Sequence, residues 1–497
     1  MVMNNDGAAQ QKLGLLIIAI SLAAFMAALD GTIVNIALPD ISEYFGASTS
    51  SISWVSTAYL LVLTSCVLIF GKISDIIGYR KIFLTGFIVF TVGSFCCGYL
   101  PELFDSFGML IAARILQGIG GAMICGITFA MVSTFFPKEK KAKAMGITVT
   151  FASLGTAIGP TIGGFLTEYL SWNWIFYINV PVGICAILLG GYVVPSSPAR
   201  TGGKFSFDYK GGILMFVGMS TLIYAMTTGS SAGWTSLPII GSFLICVLAF
   251  GYFIINERRV SDPLLDISLF KSRNFLFANI SLAILFFIFG GMNFLMPFYL
   301  QYVQGYSVAA SGLILTALSL AMMISGLLSG MLYNKTGSRK LCITSAILMV
   351  LGYFLLTRIS ELSTLLYIVL TLFIIGFALG FFMTPNNNLV LNMSQKSQQG
   401  MISSLLTLER NGPMTIGIAF FQLICVQAML DLAKNNNVIT DTPIDIKLHL
   451  LSAGFDLTFL VALIFAVVIL ILTLITREEI HPDHQNDDEL ASEPVLI

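Results

Sequence analysis

The chain consists largely of apolar runs of about 20 residues. A helix of that length crosses the roughly 30 Å hydrocarbon core of a bilayer, and in lipid it satisfies its own backbone hydrogen bonds. Only 10% of the 497 residues are charged, and 56% are hydrophobic, whereas soluble proteins average about 25% charged residues. The sequence therefore predicts an all-α membrane protein with 14 transmembrane helices. The runs lie at 14–38, 51–70, 82–100, 107–131, 144–168, 174–194, 211–229, 237–256, 275–300, 308–332, 342–358, 363–384, 401–425 and 453–476.

The first run follows a short polar start without a signal-peptide cleavage pattern, so we expect it to be a retained span. All eight cysteines lie in apolar runs, without CxxC or metal-ligand spacing, and are expected to pack between helices. We expect no cofactor, no metal and no nucleic-acid partner. The lipid bilayer is the expected surrounding medium, and the chain is expected to act as a monomer.

Basic residues orient the helices, because short cytoplasmic loops carry the excess of lysine and arginine. If Lys12 lies inside, 20 of the 25 basic residues fall in predicted cytoplasmic segments, three fall in external loops and two lie within spans. A one-span error would scramble this alternation. The pattern predicts an even number of spans and two cytoplasmic termini. The short loops and the short acidic tail suggest a microbial plasma-membrane protein.

Two loops and two helical segments repeat along the chain. GKISDIIGYRK at 71–81 resembles GMLYNKTGSRK at 330–340, and IGPTIGG at 158–164 resembles NGPMTIG at 411–417. The offsets of 259 and 253 residues are nearly equal, so spans 1–6 and 9–14 read as two copies of one six-helix unit. Spans 7 and 8 then form an inserted hairpin.

The repeat predicts four segments along the chain. They are an N-terminal bundle at 1–200, the hairpin at 201–260, a C-terminal bundle at 261–476 and an acidic cytoplasmic tail at 477–497. The tail composition is typical of a solvated, disordered end. Two repeated halves are typical of transporters, whose substrate site lies near the membrane midplane between the halves. Enzyme motifs such as HExxH, GxSxG and the Walker loop are missing from the sequence, which disfavours an enzyme and ATP-driven transport.

Five sequence blocks resemble those of the major facilitator superfamily, and within it the fourteen-span drug:proton antiporters. They are LDGTIVNIALP (29–39), GKISDIIGYRK (71–81), RILQGIGGA (114–122), GTAIGPTIGG (155–164) and WNWIFYINVPVG (172–183). The resemblance covers nearly the whole chain. It implies two six-helix bundles that alternately open to either side, a small-molecule substrate and protons as the coupling ion.

In the block at 71–81 the resemblance implies a gating role for Gly71, Asp75, Gly78, Arg80 and Lys81. The glycines permit tight helix ends, and the aspartate can pair with the arginine or with a helix N-terminus of the other half. The alternative is a basic loop that only sets topology. The second copy has asparagine in place of the aspartate, which predicts a weaker contact.

The block at 155–164 is identified as the antiporter motif, at a helix that bends between states. Gly155, Gly159 and Gly163 recur every four residues, which allows close helix packing. Pro160 removes one backbone hydrogen bond and bends the helix. Ordinary tight packing is the alternative, and the two interpretations share the same contact.

Charged residues inside spans are rare and usually functional. At a rise of about 1.5 Å per residue, Asp30 lies roughly 12 Å and Arg114 roughly 10 Å below the external surface. The two can share one layer, and Gln117 lies on the same face of its helix as Arg114. Glu409 lies roughly 14 Å from the cytoplasmic side.

The resemblance implies proton or cation exchange at Asp30 and Arg114, and less directly at Glu409. Burial disfavours a charged carboxylate, whereas a nearby guanidinium favours it, so a carboxyl balanced between the two can exchange protons. Alternatively, Asp30 forms a structural ion pair with Arg114, and Glu409 pairs locally with Arg410. Spans 2 and 10 contain no acidic residue, which argues against divalent-cation substrates.

The sequence thus predicts a proton-coupled antiporter that exports hydrophobic or cationic drug-like compounds by alternating access. Two alternatives stay open. One is an exporter of a single metabolite, siderophore or antibiotic on the same fold, and the other is a non-transport sensor or enzyme on this scaffold. A panel of export substrates separates the exporter of many drug-like compounds from the exporter of a single compound.

Overall fold

The computed structural model describes residues 3–195, 208–260, 263–393, 399–435 and 444–477, except for individual side chains within these ranges. The described chain is helical and contains no strand, which confirms the all-α prediction. The helices are α1 (Met3–Phe45), α2 (Thr49–Ile77), α3 (Tyr79–Leu103), α4 (Phe107–Phe135), α5 (Lys138–Tyr169), α6 (Trp174–Tyr177), α7 (Asn179–Val193), α8 (Tyr209–Ala232), α9 (Leu237–Glu257), α10 (Arg273–Phe298), α11 (Val308–Thr336), α12 (Ser338–Leu356), α13 (Leu365–Asn392), α14 (Gln399–Asn435) and α15 (Ile444–Ile475). The predicted acidic tail beyond residue 477 lies outside the described residues.

Thirteen described stretches are long and apolar enough to cross a membrane. The short α6 and the following α7 form one of them, Trp174–Val193. In α2 the described apolar stretch, Ser51–Val67, is shorter than the length expected of a span. The structure therefore supports a multi-pass helical protein, and the count of fourteen spans stays a prediction.

Two glycines set matching breaks between helices. Gly78 separates α2 from α3 with a φ of +95°, and Gly337 separates α11 from α12 with a φ of +76°. A side chain is strained at such positive φ values, so glycine permits a helix to end and the next to begin without an intervening loop. The two glycines occupy equivalent places in the repeated loops.

The two repeats also make matching helix contacts. In the first repeat α1 packs on α5, α2 packs on α4, and α3 packs on α4 and α7. In the second repeat α10 packs on α14, α11 on α13, and α12 on α13 and α15. Arg80 donates to the carbonyl of Gly191 at 2.6 Å, and Arg339 donates to that of Leu474 at 3.0 Å. In each repeat an arginine after the glycine break thus binds the repeat's last helix.

The halves meet along α5 with α11, α2 with α14, and α1 with α10. The α8–α9 pair packs against itself, and α8 also contacts α2 and α14. A small apolar cluster holds α8 there, with Leu61 and Val62 of α2 against Met215 and Met219 of α8. The pair predicted as a hairpin therefore lies beside the interface between the halves, where its first helix touches both.

Close helix contacts inside one half give a direct test of the packing. A Cβ atom added to Gly376 of α13 would collide with the carbonyl of Leu318 on α11, whereas one added to Gly326 meets nothing closer than 3.8 Å. We expect Gly376→Ala to lower the thermal midpoint by several degrees, because overpacking costs about 1–3 kcal/mol. Thermal stability of the purified protein in detergent measures this. Gly326→Ala is the control, and equal midpoints for the two variants would contradict the described packing.

Candidate substrate and proton site

Asp30 lies at the centre of a polar network inside the first half. Its carboxylate accepts from Arg114 Nη1 at 2.8 Å, from Gln117 Nε2 at 2.8 Å and from Asn179 Nδ2 at 3.1 Å. The Asp30 side chain is 0% exposed, and that of Arg114 is 1% exposed. The structure thus brings three of the predicted residues into one dry cluster, in which the charge of Asp30 is neutralised.

The Arg114 guanidinium is held from several sides. Nε donates to the carbonyl of Val55 on α2 at 2.8 Å, and Nη1 also donates to Gln117 Oε1 at 2.6 Å. Its central carbon lies 4.3 Å from the ring centroid of Tyr59, within the range of a cation–π interaction. Buried ion pairs stabilise only when such additional bonds satisfy their remaining donors. The contacts therefore fix Arg114, and through it the spacing of α1, α2 and α4.

Asn179 of α7 and Ser94 of α3 complete the network, and sequence reasoning missed both. Ser94 Oγ accepts from Gln117 Nε2 and from Asn179 Nδ2, each at 3.1 Å. It donates to the carbonyl of Phe176 at 2.9 Å. The signal was present, because Asn179 is an amide inside the apolar block at 172–183. The network therefore joins α1, α3, α4 and α7 into one unit.

Glu409 lies apart from this cluster, on α14 of the second half. Its Oε2 atom is buried and has no hydrogen-bond partner among the described residues. Within the described side chains no ion pair joins Glu409 to Arg410, and no hydrogen bond joins it to the Asp30 network. The structure thus separates the sequence-predicted acids into a fully bonded carboxylate in one half and an unbonded carboxyl in the other.

Arg410 follows Glu409 within the candidate span Leu405–Met429. Its side chain is exposed, although α14 packs against α2, α8 and α10 and touches α4. Arg410 therefore lies, with its side chain exposed, on a helix that contacts both halves.

Two of the predicted gating residues, Gly71 and Arg80, have described contacts within their own half. A Cβ atom on Gly71 would lie 3.3 Å from the carbonyl oxygen of Gly126 on α4, so Gly71 lets α2 approach α4. Arg80 binds α7 through the Gly191 carbonyl, and Lys81 is exposed. The side chain of Asp75 lies outside the described residues, so its predicted contacts stay predictions.

The glycines of the 155–164 block pack α5 onto α1. Added Cβ atoms would lie 2.5 Å from the carbonyl oxygen of Phe25 at Gly155 and 2.7 Å from that of Ile33 at Gly163. One at Gly159 would collide with Thr32, which follows Asp30 by two residues. Pro160 lies inside α5, and its carbonyl abuts Gly312 of α11 in the other half. This helix therefore connects the Asp30 helix with the second half.

Hydrogen bonds join the halves near the predicted external side. Asn35 Nδ2 donates to Asn293 Oδ1 at 3.1 Å, and these asparagines are 258 residues apart, close to the repeat offset. The Thr161 and Thr316 hydroxyls contact each other, and Ala309 N donates to Glu168 Oε2 at 2.7 Å.

A cavity of about 20 Å³ lies beside these hydrogen bonds between the halves. It is lined by Pro160, Met292, Asn293 and Met296, among others, and has room for one water. In this conformation the halves are joined at that side.

The Asp30–Arg114 pair yields a prediction about stability. Asp30→Asn should destabilise the protein by about 3–5 kcal/mol, because it leaves the buried Arg114 charge uncompensated. Adding Arg114→Gln should recover much of this loss, because the charge is then removed. Thermal unfolding of the two single variants and the double variant in detergent measures the coupling. Additive losses in the double variant would contradict a structural ion pair.

Comparison with known proteins identifies the family. The model of the Major Facilitator Superfamily matches residues 20–418. The riboflavin transporter RibZ of Clostridioides difficile (strain 630) is 33% identical over 415 residues, which is 84% of this chain and 89% of that protein. The multidrug transporter protein MdtP of Bacillus subtilis (strain 168) is 34% identical over 448 residues, which is 89% of this chain and 79% of that protein.

A solved structure shares the fold at low sequence identity. It is a bacterial homologue of the human lysosomal transporter Spinster, in an inward-facing and occupied conformation. The alignment has a TM-score of 0.66 and 13% identity, and it covers 93% of this chain and 96% of that one. The chain is thus a multi-pass membrane transporter and not an enzyme, and it belongs to the major facilitator superfamily.

Proposed function

We propose that the chain is a proton-coupled antiporter that exports hydrophobic or cationic drug-like compounds by alternating access. It belongs, in this proposal, to the fourteen-span drug:proton branch, with α8 and α9 as the inserted hairpin. It acts as a monomer in the plasma membrane with both termini in the cytoplasm. The observation that carries the proposal is the buried Glu409 carboxyl, whose Oε2 atom has no partner among the described residues.

Proton exchange suits Glu409 better than Asp30 because of the bonds that each group would lose. Protonating Asp30 weakens an ion pair with Arg114 and leaves a guanidinium uncompensated in a dry site. Protonating Glu409 breaks no hydrogen bond at Oε2. We therefore assign the proton to Glu409, and we assign to Asp30 the task of holding Arg114 and the first half together.

Competition at one carboxyl couples the proton to the substrate. A cationic compound that enters the space beside α14 is attracted by the Glu409 carboxylate, and a proton on the same carboxyl removes that attraction. Substrate and proton then occupy the site in turn. If only the loaded forms change conformation, export of one requires import of the other.

The contacts between the halves are suited to repeated opening. Near the predicted external side they are amide and hydroxyl hydrogen bonds, such as Asn35 with Asn293 and Thr161 with Thr316. Each is worth about 1 kcal/mol net, and water replaces it when the side opens. The denser Asp30 network lies within one half and can move as a unit. Rocking of the halves about α5 and α11 therefore fits the gating and bending roles proposed for 71–81 and 155–164.

The similar proteins support both a broad and a narrow substrate range. MdtP is a multidrug transporter, which supports export of varied compounds. RibZ is a riboflavin transporter at nearly the same identity, which supports the alternative of one metabolite, siderophore or antibiotic. α10 is rich in methionine and phenylalanine, such as Met292 and Phe289, and these residue types suit flat apolar compounds in either case.

Removing the proton acceptor tests the coupling. We expect Glu409→Gln to abolish substrate-induced proton release in proteoliposomes and to weaken binding of a cationic labelled substrate, because the amide can neither release a proton nor attract a cation. Asp431→Asn is the matched control, since Asp431 is an exposed carboxylate on the same helix. A pH-sensitive dye and labelled substrate measure the two processes. Full proton release in Glu409→Gln would refute the assignment.

Substrate breadth has its own test. Expression in a pump-deficient bacterial host should lower the accumulation of several unrelated dyes and raise resistance to several unrelated drugs. A protonophore should cancel both effects, because the gradient supplies the energy. Resistance to a single compound would favour the narrow-substrate alternative, and efflux that survives the protonophore would contradict proton coupling.

A further inference from the structure

The proposed proton exchange does not use Arg410, although a charge inside a membrane span is costly. It lies in α14 next to Glu409, and its side chain is exposed rather than close-packed. Among the described residues it forms no ion pair, and the Glu409 Oε2 atom beside it is also unbonded. A carboxyl and a guanidinium thus follow one another on the helix without forming an ion pair with each other.

The geometry of a helix explains this separation. Successive residues point about 100° apart, so Glu409 and Arg410 project in different directions from α14. α14 contacts α2 and α4 of the first half as well as α10 of its own half. The exposed guanidinium therefore lies on a helix at the interface and has no ion-pair partner among the described side chains.

The two arginines within spans differ in their partners. Arg114 lies over the Tyr59 ring and is compensated by Asp30 at 2.8 Å. Arg410, on α14 of the second half, has no such carboxylate among the described residues. One arginine is thus part of the folded scaffold, and the other is available to a molecule that enters between the halves.

We infer that Arg410 is an anion-binding residue of the substrate site. Together with Glu409 it selects planar amphiphiles that carry both a basic and an acidic group. The basic group lies at the Glu409 carboxylate and the acidic group, a carboxylate or phosphate, at the Arg410 guanidinium. This inference rests on the proposed function for the location of the site, and it adds zwitterionic compounds to the substrate class. Competition with the proton is retained, because the basic group still occupies Glu409.

Two dyes with one scaffold test this directly. Rhodamine 110 carries a free carboxylate, and rhodamine 123 is its methyl ester, so the pair differs only in the acidic group. We expect Arg410→Gln to weaken rhodamine 110 binding about tenfold or more, the usual effect of losing a charge-assisted bond. Rhodamine 123 binding should stay within about twofold, and Arg410→Lys should recover part of the rhodamine 110 affinity.

The measurement is equilibrium binding to the purified full-length protein in detergent at neutral pH, followed by fluorescence polarisation. Arg358→Gln is the control, since Arg358 is an exposed arginine near the end of α12, beside Phe354. Retained rhodamine 123 binding shows that Arg410→Gln is folded. Equal loss of both dyes, or unchanged rhodamine 110 binding, would overturn the inference, as would wild-type protein that does not bind rhodamine 110.

Binding does not depend on a proton gradient or on export, so the two proposals fail separately. If carboxylate-dependent binding is lost in Arg410→Gln but proteoliposomes show no coupled export, the proposed function is wrong and the role of Arg410 stands. If coupled export is found but the two dyes respond alike to Arg410→Gln, the role of Arg410 is wrong and the proposed function stands.

Discussion

The ion pair between Asp30 and Arg114 is the interaction on which the first half depends. Two charges without solvent contact are stable only when their other donors and acceptors are satisfied. Here Gln117, Asn179 and the Val55 carbonyl supply those bonds. Each comes from a helix that must keep its depth and rotation for the bonds to form. One buried charge on α1 thereby fixes α2, α4 and α7 around it.

Within this rigid first half, α5 contacts both α1 and the second half. The glycines of α5 lie against the turns of α1 that carry Asp30, and the Pro160 carbonyl abuts Gly312 of α11. In the proposed alternating access, movement between the halves reaches α1 through these close contacts of α5. The second half contains no equivalent dry ion pair among its described residues, and its acid and base on α14 are left unbonded. In the proposed mechanism the first half is the scaffold, and Glu409 and Arg410 of the second half bind the ligand.

Much of this could be predicted from the sequence, because lipid imposes simple rules. Apolar length predicted the helices, and a rise of 1.5 Å per residue predicted that Asp30 and Arg114 share a layer. Asn179 and Ser94 were missed because the depth argument considered charged residues, whereas amides and hydroxyls complete a buried network equally well. The gating role of Arg80 stays a prediction, and the structure adds a hydrogen bond from Arg80 to the Gly191 carbonyl that loop composition does not reveal.

The alternative of a local pair between Glu409 and Arg410 is not seen among the described side chains, because successive helical residues point about 100° apart. The central claim is that Glu409, and not Asp30, carries the proton. Infrared difference spectroscopy on substrate binding tests it most directly, since a protonated carboxyl has its own C=O band. We predict a substrate-induced loss of that band in the wild type and in Asp30→Asn/Arg114→Gln, and no such change in Glu409→Gln. A band that still responds to substrate in Glu409→Gln would contradict this claim.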